Sequence, residues 1–283
     1  MKEIVVAIDF SRGSIHALRF AINIANQLES NILMVHVYKH GSVESIYKNA
    51  EKDELKEINL RLNKLVEKHQ KLLKKGTITF KVRTGKVYKE VVNQAKYSDA
   101  YMIVAGTHGV SGFEEFWIGS NAYRIVSSAF CPVITIRNGF CGTDKITKIV
   151  MPIDDTRDTR QKVPFVESLA KTLNAEVYIL ALTTTKIKEV HKEVDRYAEQ
   201  AAAFLEKSGI KYNIVKQTVD NVAEGIIEYA TEINAQLIAS MTDQGLSSSK
   251  IWLGPYAQQL VNHSGVPILS IHPKEIYGIN AGL

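Results

Sequence analysis

Cysteine is scarce in this 283-residue chain. Only Cys131 and Cys141 occur, and their separation matches no metal knuckle or paired redox motif. Both are expected as reduced thiols, Cys131 buried among apolar neighbours. Long apolar runs are missing as well. No segment approaches the roughly 18 uninterrupted apolar residues of a membrane span. The amino-terminal run "MKEIVVAIDF" is broken by Asp9, short of a signal peptide. A cytoplasmic protein with no membrane partner is therefore expected. None of the eight histidines pairs with another at i, i+4 on a helical segment, as a helical zinc site would require. Also absent are the phosphate-loop pattern G-x4-G-K-[ST] and the complete dinucleotide order G-x-G-x-x-G. No RNP element or zinc finger is present either, so nucleic acid is not expected as a partner.

What is present is ordinary in bulk and unusual in arrangement. Apolar residues make up 45% and charged residues 23% of the chain, which suits a globular protein with real cores. The length fits two modest domains or one large one. The net charge of +5 is uneven: residues 1–140 carry 20 Lys+Arg against 13 Asp+Glu, and the remainder 15 against 17. Much of the excess lies in "KLLKKGTITFKVRTGKVYKE" at 71–90. Such a run reads first as a solvated face, and second as a surface for an anionic ligand.

The chain is written twice. "KEIVVAIDFS" (2–11) returns as "TKIVMPIDDT" (147–156), and "YSDAYMIVAGTHG" (97–109) returns as "INAQLIASMTDQG" (233–245). "EEFWIGSNAYRIVSSAFCPVITI" (114–136) returns as "SKIWLGPYAQQLVNHSGVPILSI" (249–271). The offset is 145 residues at Asp9 and Asp154, and 135 at Gly119 and Gly254. Two copies of one domain are expected, at 1–138 and 146–275, with the linker in "NGFCGTDKI" at 138–146. Within the first copy the periodicity predicts strands at 3–8, 31–37, 77–83, 100–105 and 133–136. Helices are predicted at 14–28, 43–75, 87–96 and 119–129. Alternation of near-continuous apolar strands with helices argues for a doubly wound parallel sheet, whose ligands bind beyond the carboxyl ends of strands.

Asp9, Val37 and a loop that begins at Gly106 all fall at such ends. The loop carries G-x2-G-x9-G-S as Gly106, Gly109, Gly119 and Ser120. Glycine permits positive φ and a close approach to the main chain. A helix opening near Gly119 would aim unsatisfied N–H groups into the loop. Two readings stand on the residues alone: a phosphate cradle, or a chain turn in which Ser120 caps a helix. Asp9 likewise reads either as a ligand contact or as a helix cap. His36 reads first as facing the core or a polar neighbour and second as a ligand contact, Phe116 and Trp117 as packing or lid residues before stacking partners, and Glu114 and Glu115 as a solvated lid face before a metal site.

"AIDFS", "VHV", "AGTHG", "GS" at 119–120 and "CPVITI" together resemble the universal stress protein family, over nearly the whole chain and in tandem. The resemblance implies two Rossmann-like domains of the adenine nucleotide alpha hydrolase type, and ATP, ADP or AMP as ligand, with Mg as an accompanying ion. Ala7 and Asp9 would then line the adenine and ribose pocket, Val37 would read the adenine edge through its backbone, and Ala105 would pack on the nucleoside. Gly106, Gly109, Gly119, Ser120 and Asn121 would surround the phosphates, and His108, by its place inside the loop, reads as a phosphate or ribose neighbour. It further implies a nucleotide-binding stress or signalling protein with at most weak ATP hydrolysis, with a protein partner or further self-association. The alternatives are an ATPase or adenylyl-transfer enzyme, and a nucleotide-independent scaffold.

The second copy departs from the pattern. Gly106 becomes Met241, Gly109 becomes Gln244 and Ser120 becomes Pro255, while Asp243 adds a negative charge. Proline at a first helical position keeps the helix but removes an amide donor. The second copy is therefore expected to keep the fold and lose the nucleotide. The family resemblance also implies dimerisation through the last strand. "PVITI" and "PILSI" would then pair within one chain as an intramolecular pseudo-dimer.

Overall fold

The computed structural model describes residues 1–38, 48–107, 119–137, 145–242 and 254–273. The first copy contains β1 (Glu3–Ala7), α1 (Arg12–Leu28), β2 (Asn31–Tyr38), α2 (Lys48–Gln70), β3 (Ile78–Thr84), α3 (Val87–Tyr97), β4 (Met102–Gly106), α4 (Ser120–Ser128) and β5 (Val133–Ile136). The second contains β6 (Lys148–Ile153), α5 (Val163–Leu173), β7 (Glu176–Thr183), α6 (Lys188–Lys207), β8 (Tyr212–Thr218), α7 (Val222–Glu232), β9 (Leu237–Met241), α8 (Pro255–His263) and β10 (Ile268–Ile271). Predicted and observed elements of the first copy coincide within a few residues, except α2. That helix was expected to run to 75 and stops at Gln70. The Gln70 side chain accepts from the Ile78 amide at 2.8 Å and donates to the Gly76 carbonyl at 3.2 Å. Leu73 turns inward and is buried. A polar side chain that satisfies the next strand's backbone has ended the helix.

All ten strands join one sheet in the order β3-β2-β1-β4-β5-β10-β9-β6-β7-β8. Every pair is parallel except the central one, where Ile268, Leu269 and Ser270 lie antiparallel to Thr135, Ile134 and Val133. A parallel pair there would repeat the first copy by translation, whereas an antiparallel one relates the copies by an approximate twofold axis. Both strands are fully covered, so the edge each copy would expose alone is consumed by the other. The pseudo-dimer is therefore built into one sheet.

Alternation along the strands feeds two helical layers. On β1, Ile4 and Val6 face a core that runs through both copies beneath α1, α2, α5 and α6. Val5 faces the opposite layer, beneath α3 and α4. There the copies interlock. Ala257 of α8 packs into the first copy's cluster and Ala122 of α4 into the second's. Polar contacts cross as well: the Arg137 guanidinium donates to the His263 carbonyl at 3.1 Å, and His272 Nε2 lies 2.6 Å from the Val126 carbonyl. Cys131 is buried, and desolvation pushes its thiol up to about 12, which keeps it protonated and inert. Cys141 lies outside the described residues. Among the described residues no helix is long and apolar enough to cross a membrane.

Leu269 sits opposite Ile134 at the middle of the seam, both fully buried. Leu269→Ala is expected to cost about 2–5 kcal/mol through the cavity it leaves, read as a lower urea midpoint.

Candidate functional site

At the carboxyl ends of β1, β2 and β4 lies a cavity of about 410 Å³. Ala7, Asp9, Val37, Ala105, Gly106, Gly119, Ser120 and Asn121 all line it. These are the described members of the set predicted from the sequence. His108 and Gly109 lie outside the described residues, as do Glu114, Glu115, Phe116 and Trp117. The small side chains of Ala7 and Ala105 leave the volume open. Val87, Val91 and Ile125 close its apolar side from α3 and α4.

Local chemistry holds each wall. Asp9 is not the helix cap: Ser11 is, its side chain accepting from the Ser14 amide at 3.1 Å. Asp9 Oδ1 instead accepts from the Ser11 amide at 3.0 Å. The intervening Phe10 is forced to φ 64, a left-handed conformation costly for a bulky residue. Its ring rests between His36, at 4.8 Å between centroids, and the Arg61 guanidinium, at 4.0 Å. His36 faces a polar neighbour as one of its two sequence readings had it. Its Nδ1 donates to the Ile8 carbonyl at 2.8 Å, leaving Nε2 as an acceptor. Burial lowers its pKa, opposed by the Ile8 bond and by Asp9, so the ring is neutral near pH 7. It also lines the cavity, as do Ser14 and Thr107. Ser14 and Thr107 were missed as site residues and His36 was read so only as an alternative, because only the tertiary arrangement turns them toward the crevice.

The glycines act differently from their sequence reading. Gly106 and Gly119 are not at positive φ; Gly119 is the N-cap of α4 at φ −57, ψ 142. Gly106 is required by its neighbour. A Cβ there would stand 2.9 Å from the carbonyl carbon of Gly13 and 3.1 Å from its oxygen. The end of β4 and the first turn of α1 thus touch backbone to backbone. The feet of the loop are tied, since the Gly119 amide donates to the Thr107 carbonyl at 2.8 Å. Gly119 offers no side-chain cap, so the first-turn amides of α4 meet the cavity without one. Such a helix start favours an anion.

The second copy keeps the frame and changes the side chains around it. Its loop feet repeat the tie, with the Gly254 amide on the Thr242 carbonyl at 2.8 Å. Asp154 repeats the Asp9 turn, accepting from the Thr156 amide at 2.9 Å. Met241, fully buried, replaces Gly106. The chain after Asp154 makes a 3-10 turn at Arg157–Arg160, and α5 opens only at Val163, six residues beyond the position equivalent to Arg12. Lys162, at the position of Ala17, is fully buried, and its ammonium donates to the Thr159 carbonyl at 2.6 Å and hydroxyl at 3.2 Å. Tyr256, at the position of Asn121, donates to Asp154 Oδ2 at 3.3 Å, and burial raises its pKa well above the tyrosine norm. In sequence the change at 162 is an Ala-to-Lys exchange inside an apolar helical face.

Two outcomes test these contacts. Gly106→Ala is expected to destabilise by about 1–3 kcal/mol, because the rigid Gly13 backbone must move; thermal melting measures it. Desolvation lowers the Lys162 pKa from 10.5 to about 8, with Asp154 opposing. The unfolded chain then binds more protons between those values, so this group makes stability rise with pH across that window. Relative to Lys162→Met, the wild type should gain at most about 1.4 kcal/mol per pH unit there, as read from urea midpoints at several pH values.

The model of the universal stress protein family matches residues 1–137 and again residues 145–272. Universal stress protein MJ0531 of Methanocaldococcus jannaschii is 29% identical over 150 residues, covering 48% of this chain and 82% of its own. Universal stress protein YxiE of Bacillus subtilis is 26% identical over 147 residues, covering 48% and 98%. The crystal structure of a universal stress protein from Archaeoglobus fulgidus matches with a TM-score of 0.75 over 96% of this chain and 98% of its own, at 16% identity; that likeness concerns the fold. With one family match per repeat and one such fold across nearly its whole length, the chain belongs to the universal stress protein family, in tandem form.

Proposed function

We propose that the protein binds an adenine nucleotide in the first copy alone and acts in stress response or signalling through the conformation or partner that the nucleotide favours. The observation that carries this reading is the contrast between the two crevices. In the first copy, a cavity of about 410 Å³ brings together an acid, small residues and an uncapped helix start. In the second, Met241 and Tyr256 stand at the positions of Gly106 and Asn121, Tyr256 bonds Asp154, and Lys162 bonds the nearby Thr159. The volume lies within the range of roughly 300–1,000 Å³ usual for small-molecule sites. Asp9 and the Val37 backbone would face the nucleoside, and the α4 amides with Ser120 and Asn121 would take the phosphates.

Gly119→Asp tests it without harming the fold, since Asp is itself a good N-cap and the observed φ, ψ suits any residue. Wild-type protein is expected to carry an adenine nucleotide detectable by mass spectrometry, or to melt several degrees higher with added ATP. Gly119→Asp should lose both. Absence of nucleotide on the wild type, with no shift on addition, would overturn the reading. Equal binding at both copies would overturn its restriction to the first.

A further inference from the structure

The nucleotide cavity does not end at α4. Across Val87, Ser120 and Asn121 it adjoins a second cavity of about 710 Å³, walled by the β3–α3 turn and the outer face of α4. Among the described residues, its charged lining groups are two cations, Lys86 and Arg124. Arg124 is held over the Tyr88 ring at 5.4 Å, and Tyr88 is part of the same wall. Glu90 packs against Gly85 on the first turn of α3 and is not among the lining residues.

The second copy is an internal control. There the N-cap of α7 is Asn221, whose side chain accepts from the Ala223 and Glu224 amides at 3.0 and 3.4 Å. The equivalent N-cap of α3 is Lys86, which makes no side-chain cap. The residue equivalent to Arg124 is Gln259, five positions into α8 as Arg124 is into α4. So the copy with the open crevice has exchanged a capping amide for a cation and a neutral amide for a guanidinium, both beside the same chamber. Exchanging a good cap for lysine weakens a helix start, which argues for a use other than stability.

We propose, resting on the nucleotide reading above, that Lys86 and Arg124 form an anion subsite for the distal phosphates. The first copy then grades adenine nucleotides by the length of their phosphate chain. A monophosphate would be held by the crevice and the start of α4. Further phosphates would extend past Ser120 and Asn121 to the two cations, where charge-assisted hydrogen bonds are strong.

The test is calorimetric titration of AMP, ADP and ATP at fixed ionic strength. It compares wild type with Lys86→Asn and Arg124→Gln, singly and together. These substitutions install what the second copy already accommodates. Wild type should bind more tightly from AMP to ADP to ATP. The double variant should bind AMP within about twofold of wild type and lose roughly ten- to a hundredfold for ATP, the usual cost of charged contacts. Equal binding of AMP and ATP by the wild type, or equal losses for both in the variant, would overturn the subsite and leave the nucleotide reading standing. No binding of any of the three by the wild type would overturn both.

Discussion

The contact of backbone with backbone between Gly106 and Gly13 governs the first half of this molecule, because it sets how closely α1 approaches the end of β4. With no Cβ on either residue, the first turn of α1 can lie against the strand. Asp9, Ser11 and Ser14 then form a compact polar turn over the crevice. The strain at Phe10 is a local consequence of that geometry, held in place by His36 and Arg61.

In the second half that contact is given up, and the crevice changes with it. A methionine at 241 occupies the place of the close approach, the helix start is replaced by a 3-10 turn, and α5 begins later. The interior there admits the Lys162 stem, and its ammonium is satisfied by Thr159. A buried ammonium is costly unless hydrogen-bonded and near an opposite charge, and Asp154 supplies the latter. One glycine-to-methionine change thus accompanies a relocated helix start, while the strands and their parallel pairing are kept.

Joining the halves through β5 and β10 relieves a constraint that each would otherwise face separately. An apolar terminal strand with an unpaired edge invites association with other chains. Pairing it inside one molecule leaves β3 and β8 at the outer edges, both with polar, half-exposed patterns.

Much was legible in the sequence, and for identifiable reasons. The strands and the repeat come from hydrophobic periodicity and self-similarity, which are local or one-dimensional signals, and the seam from the family resemblance. The end of α2 was not legible, because Gln70 stops the helix by reaching Ile78, a contact no periodicity shows. Asp9, Val37 and Gly106 were identifiable from topology and Ala7, Ala105 and Asn121 from the family resemblance, and all six line one cavity. Ser14 and Thr107 were not recognised there, since a buried polar residue beside a strand looks the same whether it faces core or crevice. Nor did the pattern G-x2-G-x9-G-S reveal why position 106 is glycine. Sequence by itself determined that two related α/β domains exist and which copy departs from the motif. Only tertiary structure decided that Gly106 serves the approach of α1, that Lys162 bonds Thr159 and Tyr256 bonds Asp154 in the second copy, and that Lys86 and Arg124 line a cavity beside the first crevice, because each depends on atoms brought together by the fold.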